Sequence, residues 1–430
     1  MRDALTTLAI RIGGAGLAFL LQAVLARAMG EAAFGFYAIV WAWILSLGSF
    51  ASLGLAEVAL RLLPRYALRN RVEAVSGFFG HGFRATALAA TAFSISGTVI
   101  ALALPLASDN RAILLSVCLG LPALALEFFL EGVARAMGWF RLTTVTIYVV
   151  RPLALMALFS GLWLADVTLT GPLVCALLAL AIAATTSVIW LIMRQRLRSN
   201  INIQKPGQAI RRFWRKQSLP MLVASGLDDL LTYADVVVLG LLMSPLQSAA
   251  YFVAGRVLSL ANLVQHAFTF VIVRKFSLSL VGEGIYGTRS QVWRATTQSL
   301  VMTAFAVIVT VMAAPILLSL FGEAYSASLP IVFVLGIAHL ARAAASQAFE
   351  FFLLLGRAKT LVAVNAASFA LLLVALVVLV PGSHVASGSL GAAIAHGFAM
   401  TVRSAALLVL LAWQSKHNRP QPMLRPHFIS

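Results

Sequence analysis

The sequence predicts an all-α polytopic membrane protein with about twelve transmembrane helices. Of its 430 residues, 61% are hydrophobic and only 11% are charged. A soluble protein of this length needs far more polar surface, so lipid is the expected solvent for most of the chain. The apolar stretches are roughly 20 residues long, which suits helices and exceeds the strands of a membrane barrel.

Two sets of six apolar stretches follow one another along the chain. The predicted spans lie near residues 5–28, 34–62, 83–105, 112–134, 143–165, 170–193, 218–243, 247–273, 296–320, 327–355, 360–380 and 389–413. This pattern predicts an N-terminal six-helix lobe (1–193), a basic cytoplasmic linker (194–217), a C-terminal six-helix lobe (218–413) and a basic cytoplasmic tail (414–430).

The net charge of +18 first suggests a nucleic-acid partner. However, most of the Lys and Arg residues fall in the termini and in alternate loops, which share one side of the predicted bundle. Only Arg27 and Arg111 fall on the other side. This asymmetry follows the positive-inside rule, so we expect no nucleic-acid partner and place both termini in the cytoplasm.

The predicted linker ends in an amphipathic segment. Its apolar and basic faces consist of Ile210, Phe213 and Trp214, and of Arg211, Arg212 and Arg215, respectively. Such a segment is typical of a helix that lies on the anionic inner leaflet of a membrane.

The two halves of the chain share weak signals at equivalent places. Gly138 and Arg141 follow the fourth span as Gly356 and Lys359 follow the tenth. With six spans in each half, both halves enter the membrane from the same side. The sequence therefore predicts a parallel repeat, with a substrate cavity between the lobes.

Charged residues inside the spans are costly, so they usually face a protein interior or an aqueous cavity. The charged residues in the predicted spans are Arg11, Glu57, Glu127, Glu131, Arg151, Asp228, Asp229, Asp235, Arg256, Arg342, Glu350 and Arg403. Similar depths pair Arg11 with Glu57, Asp235 with Arg256, and Arg151 with Glu127. Each pair can be a structural ion pair or part of a functional site.

Arg342 and Arg403 lie near mid-membrane without an obvious acidic partner at their depth. His339 shares a helix face with Arg342, and His396 shares one with Arg403. A basic cavity wall of this kind would suit a phosphate or diphosphate group. In the alternative interpretation, one or both arginines reach Asp228 or Asp229.

Ion or proton coupling is a second role for polar groups in the spans, because buried carboxylates and histidines can titrate near neutral pH. Asp228, Asp229, His339 and His396 are the candidates. A single membrane histidine is more often a hydrogen-bonded packing residue, and that alternative stays open.

No motif for catalysis or for a cofactor is visible. The chain has no phosphate-binding Gly-rich loop, zinc-binding spacing or nucleophile elbow. Cys118 and Cys175 both lie in apolar spans and suggest neither a disulfide framework nor a metal site. We therefore expect no enzyme activity, no catalytic residue, no metal and no cofactor.

Three segments carry family motifs. The first runs from Leu25-Ala-Arg-Ala-Met-Gly to Phe34-Gly-Phe-Tyr and continues to Ser52-Leu-Gly-Leu and Arg61. The second is Asp235-Val-Val-Val-Leu-Gly, followed by Ala250-Tyr and Arg256, and the third is Phe321-Gly-Glu-Ala-Tyr. Together they resemble bacterial polysaccharide flippases of the multidrug, oligosaccharidyl-lipid and polysaccharide exporter superfamily. In one departure from the pattern, Ala249-Ala-Tyr lacks the glycine that is usual at that turn.

The resemblance implies a two-lobe, MATE-like transporter of the bacterial inner membrane that works by alternating access. Its implied substrate is a polyprenyl-diphosphate-linked oligosaccharide moved to the outer leaflet, with a proton or sodium ion as candidate coupling ion. Other polysaccharide assembly proteins are candidate partners. Family members carry cavity arginines for the diphosphate, and Arg11 and Arg256 occupy comparable positions here.

Three other functions remain as alternatives. An ion-coupled multidrug or cation antiporter of the same superfamily would favour an acidic cavity, and Asp228, Asp229 and Asp235 keep that alternative open. A peptidoglycan-precursor flippase usually carries helices beyond the twelfth. A membrane-embedded glycan polymerase typically has a large outer catalytic loop, and no such loop is predicted here.

Overall fold

The computed structural model describes residues 2–198, 207–282, 284–382 and 388–417. Within these ranges the regular structure is entirely helical and includes no strand, which confirms the predicted fold class. The N-terminal lobe comprises α1 (Arg2–Met29), α2 (Glu31–Ala51), α3 (Leu55–Leu68), α4 (Val72–Ala103), α5 (Ser108–Met137), α6 (Phe140–Val145), a π-helical turn (Thr146–Val150), α7 (Arg151–Leu164) and α8 (Gly171–Arg198).

The C-terminal lobe comprises α9 (Gln208–Leu242), α10 (Pro245–Gly282), α11 (Gly284–Ser319), a 3-10 turn (Glu323–Ser328), α12 (Leu329–Leu354), α13 (Ala358–Gly382) and α14 (Gly388–His417). The second pass consists of α2 and α3, and the fifth runs from α6 to α7, so each lobe makes six passes. We call the end of the bundle where α1 begins and α14 ends the basic face, and the other end the opposite face.

The outer surface of the bundle is suited to lipid. Among the described residues, nine helical segments are long and apolar enough to cross a membrane by length and composition. On α11 a stripe of exposed apolar side chains runs along one side, formed by Val301, Phe305, Ile308, Met312 and Ile316. Their spacing of three or four residues keeps them on one helix face. The pass formed by α9 is less apolar because it carries Asp228, Asp229 and Asp235.

The predicted repeat has a structural counterpart at the ends of α5 and α12. Gly138 and Gly356 follow these helices with φ of 76° and 74°, a left-handed conformation that favours glycine. The next amide then donates back to the helix, from Trp139 to Ala134 over 2.7 Å and from Arg357 to Phe352 over 3.0 Å. The fourth and tenth passes therefore end with the same capping motif.

The second pass is broken between α2 and α3. Leu53 and Gly54 both have positive φ, of 57° and 64°. A side chain at residue 54 would also lie 2.5 Å from the Ser218 carbonyl oxygen of α9, so the close approach of the two lobes requires glycine here. The break brings the first turn of α3 against α9.

The lobes also meet at the opposite face. Phe19 packs edge-on against Phe321 at 5.2 Å, and Phe34 packs against Phe252 at 5.9 Å. Arg27 donates to the Ser319 carbonyl oxygen over 3.0 Å. Helices α1 and α2 are therefore fixed to α10 and to the loop after α11 at this end.

The basic segment before the seventh pass differs from the prediction. Residues 208–217 are not a separate surface helix but the first turns of α9, which continues to Leu242. Trp214 is fully buried, whereas Ile210 and Phe213 are 44% and 45% exposed. The predicted apolar face is split because α3 and α4, rather than lipid, cover Trp214. Residues 199–206 of the predicted linker and 418–430 of the tail lie outside the described residues.

Candidate functional site

Asp228 on α9 is the centre of a charge cluster within the C-terminal lobe. Its Oδ1 lies 2.5 Å from Nη2 of Arg403 on α14, and its Oδ2 lies 3.2 Å from Nη2 of Arg342 on α12. The alternative that the sequence left open therefore holds for both arginines. Depth along the helices did not reveal it, because their common partner lies on a third helix.

Arg403 is held rigidly. Its side chain is 3% exposed, its Nε donates to Oδ1 of Asn365 over 2.9 Å, and its guanidinium lies 5.1 Å from the Phe349 ring. Asn365 in turn donates to the Ala224 carbonyl oxygen over 3.0 Å. Sequence reasoning missed Asn365, although an amide side chain inside an apolar span is itself a signal of a polar partner.

Arg342 is more accessible than Arg403. Its side chain is 23% exposed, and its second amino group donates to the hydroxyl of Thr232 over 3.0 Å. Asp228, which both arginines share, is 19% exposed. In this cluster Arg403 is therefore buried, whereas Arg342 lies nearer the surface of the lobe.

Asp229, the next residue of α9, turns to the other lobe. It accepts a short hydrogen bond from the hydroxyl of Ser49 on α2 and also interacts electrostatically with Arg342. Successive residues of a helix point about 100° apart, so one turn of α9 serves both lobes. Asp228 faces the arginines. Asp229 faces Ser49 of α2 at the contact surface between the lobes, which we call the seam.

Arg256 on α10 lies at the same seam. Its guanidinium lies 4.5 Å from the Phe252 ring, and it interacts electrostatically with Tyr37 of α2 and Tyr233 of α9. Among the described residues it forms no ion pair, and its buried Nε has no hydrogen-bond partner. The expected pair with Asp235 is not formed.

Asp235 belongs instead to a group buried inside the C-terminal lobe. Its Oδ2 lies 2.9 Å from Nδ1 of His396 on α14 and accepts a short hydrogen bond from the hydroxyl of Tyr251 on α10. Tyr251 and His396 are 3% and 6% exposed. His339 lies elsewhere, with its Nε2 2.7 Å from Nδ2 of Asn262. The two predicted histidines therefore contact different residues.

A second set of charges joins the lobes nearer the basic face. Glu57 of α3 and Glu350 of α12 both interact electrostatically with Arg135 of α5. Close by, Arg61 of α3 donates to Oε1 of Gln217 on α9 over 3.0 Å. The expected partner of Glu57, Arg11, lies in a part of α1 whose side chains are outside the described residues.

The predicted pair of Arg151 and Glu127 is present inside the N-terminal lobe. The guanidinium of Arg151 contacts both oxygens of Glu127 and also donates to Thr185, over 2.7 Å from Nη2. Thr186 donates to the same carboxylate over 3.3 Å. The pair is largely buried within one lobe, which favours a structural role.

The family model that describes polysaccharide biosynthesis proteins matches residues 1–277. No curated protein sequence matches the chain significantly. The fold is similar to that of a multidrug resistance MATE family transporter of the MOP superfamily in its inward-facing conformation, with 12% identity and a TM-score of 0.71 over 96% of this chain and 98% of the other.

Two further solved structures have the same fold. A MOP superfamily transporter from Pyrococcus furiosus shares 12% identity, with a TM-score of 0.70 over 96% of both chains. A mutant of the Vibrio cholerae MATE transporter VcmN shares 16% identity, with a TM-score of 0.65 over 96% of this chain and 97% of the other. The chain belongs to the polysaccharide biosynthesis protein family and is a multi-pass membrane protein with the fold of MATE and MOP superfamily transporters.

Proposed function

We propose that this protein is a flippase for a polyprenyl-diphosphate-linked oligosaccharide, which it moves from the cytoplasmic to the outer leaflet by alternating access. One observation carries the proposal. Three arginines packed near α9 face two carboxylates there. Arg342 and Arg403 both pair with Asp228, Arg342 also interacts electrostatically with Asp229, and Arg256 forms no ion pair among the described residues.

A diphosphate fits this arrangement chemically. Guanidinium groups bind phosphate oxygens through paired, charge-assisted hydrogen bonds, and a buried guanidinium without an anion is costly. Arg256 at the seam and the more exposed Arg342 both interact electrostatically with Tyr233. A diphosphate could therefore contact Arg256 first and then compete with Asp228 for Arg342.

The proposed direction depends on the basic face being cytoplasmic. The excess of Lys and Arg in the loops of that face supports this orientation, in which both termini would lie in the cytoplasm of a bacterial cell. Single cysteines at the exposed positions Arg71 and Trp163, near the two ends of the bundle, test it. An impermeant thiol reagent should label only the second in intact spheroplasts, and labelling of only the first would reverse the orientation.

The direct test is translocation of a fluorescent polyprenyl-diphosphate oligosaccharide in proteoliposomes that contain only this protein. We expect protein-dependent appearance of the glycan at the other leaflet. Arg256→Gln, Arg342→Gln and Arg403→Gln should each reduce the rate at least about tenfold, the loss of one charge-assisted contact. Arg84→Gln, at an exposed position of α4, is the matched control. Normal rates in all three variants would refute the arginine site.

An ion-coupled multidrug or cation antiporter is the second candidate. It is supported by the carboxylates near the seam, Asp229, Glu57 and Glu350, which an organic cation could pair with. Uptake of ethidium driven by a proton or sodium gradient in the same proteoliposomes, without movement of the glycan lipid, would favour this function.

The buried group of Asp235, His396 and Tyr251 supports ion coupling in either case, because an imidazole 2.9 Å from a carboxylate can take up a proton and form an ion pair with it. His396→Gln should then abolish the dependence of transport on a pH gradient. An unchanged dependence would assign the group a structural role.

A further inference from the structure

A cavity of about 400 Å³ opens at the basic face, away from the arginines of the seam. It is lined by Gln208, Arg211, Arg212 and Arg215 at the start of α9 and by His81 of α4. The two lobes thus both contribute to it, α4 from the N-terminal lobe and α9 from the C-terminal lobe.

The position of the arginines is fixed by Trp214, which lies between them in sequence. Its buried indole packs edge-on against Phe78, with ring centroids 5.1 Å apart, and lies 5.8 Å from the His81 ring in a tilted arrangement. Its Nε1 donates to the hydroxyl of Tyr66 over 3.1 Å. Since α3 and α4 hold this side chain, the neighbouring arginines are anchored at the cavity.

Three arginine side chains and no described acidic residue line the cavity. None of Arg211, Arg212 and Arg215 forms an ion pair with a described residue. Arg211 and Arg215 also repel a positive charge on His81. The Nε2 atom of His81 is buried and lacks a hydrogen-bond partner within the described part of the chain. In the tautomer protonated at Nε2, this nitrogen would donate to a phosphate oxygen that three guanidinium groups also bind.

The N-terminal end of α9 adds to the positive charge at the cavity. Gly207 precedes the helix, and no side chain of a described residue caps its first free N–H groups. The positive end of the helix dipole therefore points into the same region.

Apolar side chains beside the cavity select the source of the phosphate. Ile210 and Phe213 are 44% and 45% exposed, one turn or less from the arginines. A soluble phosphate would gain nothing from them, whereas acyl chains at a membrane surface would cover them. We propose that this cavity binds the phosphodiester head group of an acidic phospholipid and that the bound lipid bridges the two lobes. This proposal does not depend on the transported substrate.

Native mass spectrometry of the purified full-length protein, titrated with phosphatidylglycerol or phosphatidylcholine, tests the proposal. We expect one phosphatidylglycerol to be retained in preference to phosphatidylcholine. The triple variant Arg211→Gln, Arg212→Gln, Arg215→Gln should lower that affinity about 100-fold, from three lost contacts near the surface. The control variant Arg69→Gln, Arg71→Gln, Lys216→Gln removes three exposed charges at positions that do not line the cavity and should retain the lipid.

The same measurement can overturn the proposal in three ways. Equal losses in the triple and control variants would indicate diffuse attraction to a basic surface. Displacement of the lipid by equimolar glycerol phosphate would show a site for soluble phosphate esters. His81→Phe keeps a ring against Trp214 and removes Nε2, so it tests the site even if the triple variant fails to fold. We expect it to weaken binding about tenfold, from one lost contact, and unchanged binding would refute the site.

Discussion

Arg151 and Glu127 in the N-terminal lobe form a pair with one cation and one anion, whereas Asp228 in the C-terminal lobe is shared by Arg342 and Arg403. Both groups lie within the membrane-spanning part of the bundle. The N-terminal pair is further enclosed by two threonine hydroxyls, and Glu127 is 5% exposed. In the C-terminal cluster, Asp228 and Arg342 keep about a fifth of their side-chain surface exposed.

The difference separates a structural ion pair from one that can exchange partners. A closed pair with matched charges has no capacity for a further anion, and opening it would leave a buried charge unpaired. A carboxylate shared by two guanidinium groups leaves donor capacity on both arginines. An incoming diphosphate could take over that capacity without leaving a bare charge behind.

Breaking the closed pair should have the largest effect on stability. Arg151→Ala leaves Glu127 buried without its cation, and we expect a loss of about 3–5 kcal/mol. The melting temperature in detergent and the amount of folded protein in the membrane should both fall. The double variant Arg151→Met, Glu127→Leu should restore most of the stability, since an apolar replacement of the whole pair is close to neutral. If Arg151→Ala is as stable as the wild type, the pair of Arg151 and Glu127 does not have a structural role.

Removing the shared carboxylate should cost less stability but change binding. Asp228→Asn leaves Arg342 and Arg403 without their anion, and we expect a loss of about 1–3 kcal/mol because the amide oxygen still accepts a hydrogen bond from one of the two guanidinium groups. Binding of a polyprenyl diphosphate should tighten about tenfold, since the competing carboxylate is gone, and translocation should slow. The affinity for the polyprenyl diphosphate and the translocation rate are measured on the same protein preparation. Weaker binding would mean that Asp228 does not compete with the substrate.

Tyr251→Phe tests the buried group inside the C-terminal lobe. The variant removes one hydrogen bond to Asp235 while His396 remains in place. We expect a loss of about 1 kcal/mol, measured as a small decrease in melting temperature. His396→Gln should cost more than Tyr251→Phe, and the reverse order would show that the hydroxyl, rather than the imidazole, is the main partner of Asp235.

Arg256→Gln should have the smallest effect on stability, about 0.5 kcal/mol or less, because no described carboxylate depends on this arginine. Its translocation rate should nevertheless fall. Arg256→Lys keeps the charge but loses the planar group, so it should recover only part of the rate. A large loss of stability in Arg256→Gln would show that the arginine is a packing residue.

The sequence predicted the helical passes and their order well, because each pass is a long apolar stretch and lipid allows few alternatives. It also predicted the capping glycines Gly138 and Gly356 as equivalent points of a repeat. The partner of each membrane charge was harder to predict. The position of a residue along a span gives its depth but not the direction in which it points, so Asp235 was paired with Arg256 instead of His396.

Trp214 shows a second limit of the sequence pattern. An amphipathic segment needs an apolar partner, and the pattern does not distinguish lipid from another helix. The buried indole between α3 and α4 revealed that the partner is protein. Ser49 and Thr232 were missed because hydroxyl side chains are common in spans and gave no signal of their own. The amide of Asn365 was a signal of a polar partner, but the prediction rested on charged residues.

The adjacent carboxylates on α9 have a thermodynamic consequence. Asp228 holds the arginines, and Asp229 holds Ser49 of the other lobe, so the two contacts share one turn of backbone. If an anion at the arginines weakens the contact with Ser49, then breaking that contact must raise the affinity for the anion by the same factor. Such reciprocity can be measured without any transport. The ratio of the anion affinities of Ser49→Ala and the wild type should equal the factor by which saturating anion weakens the contact between the lobes.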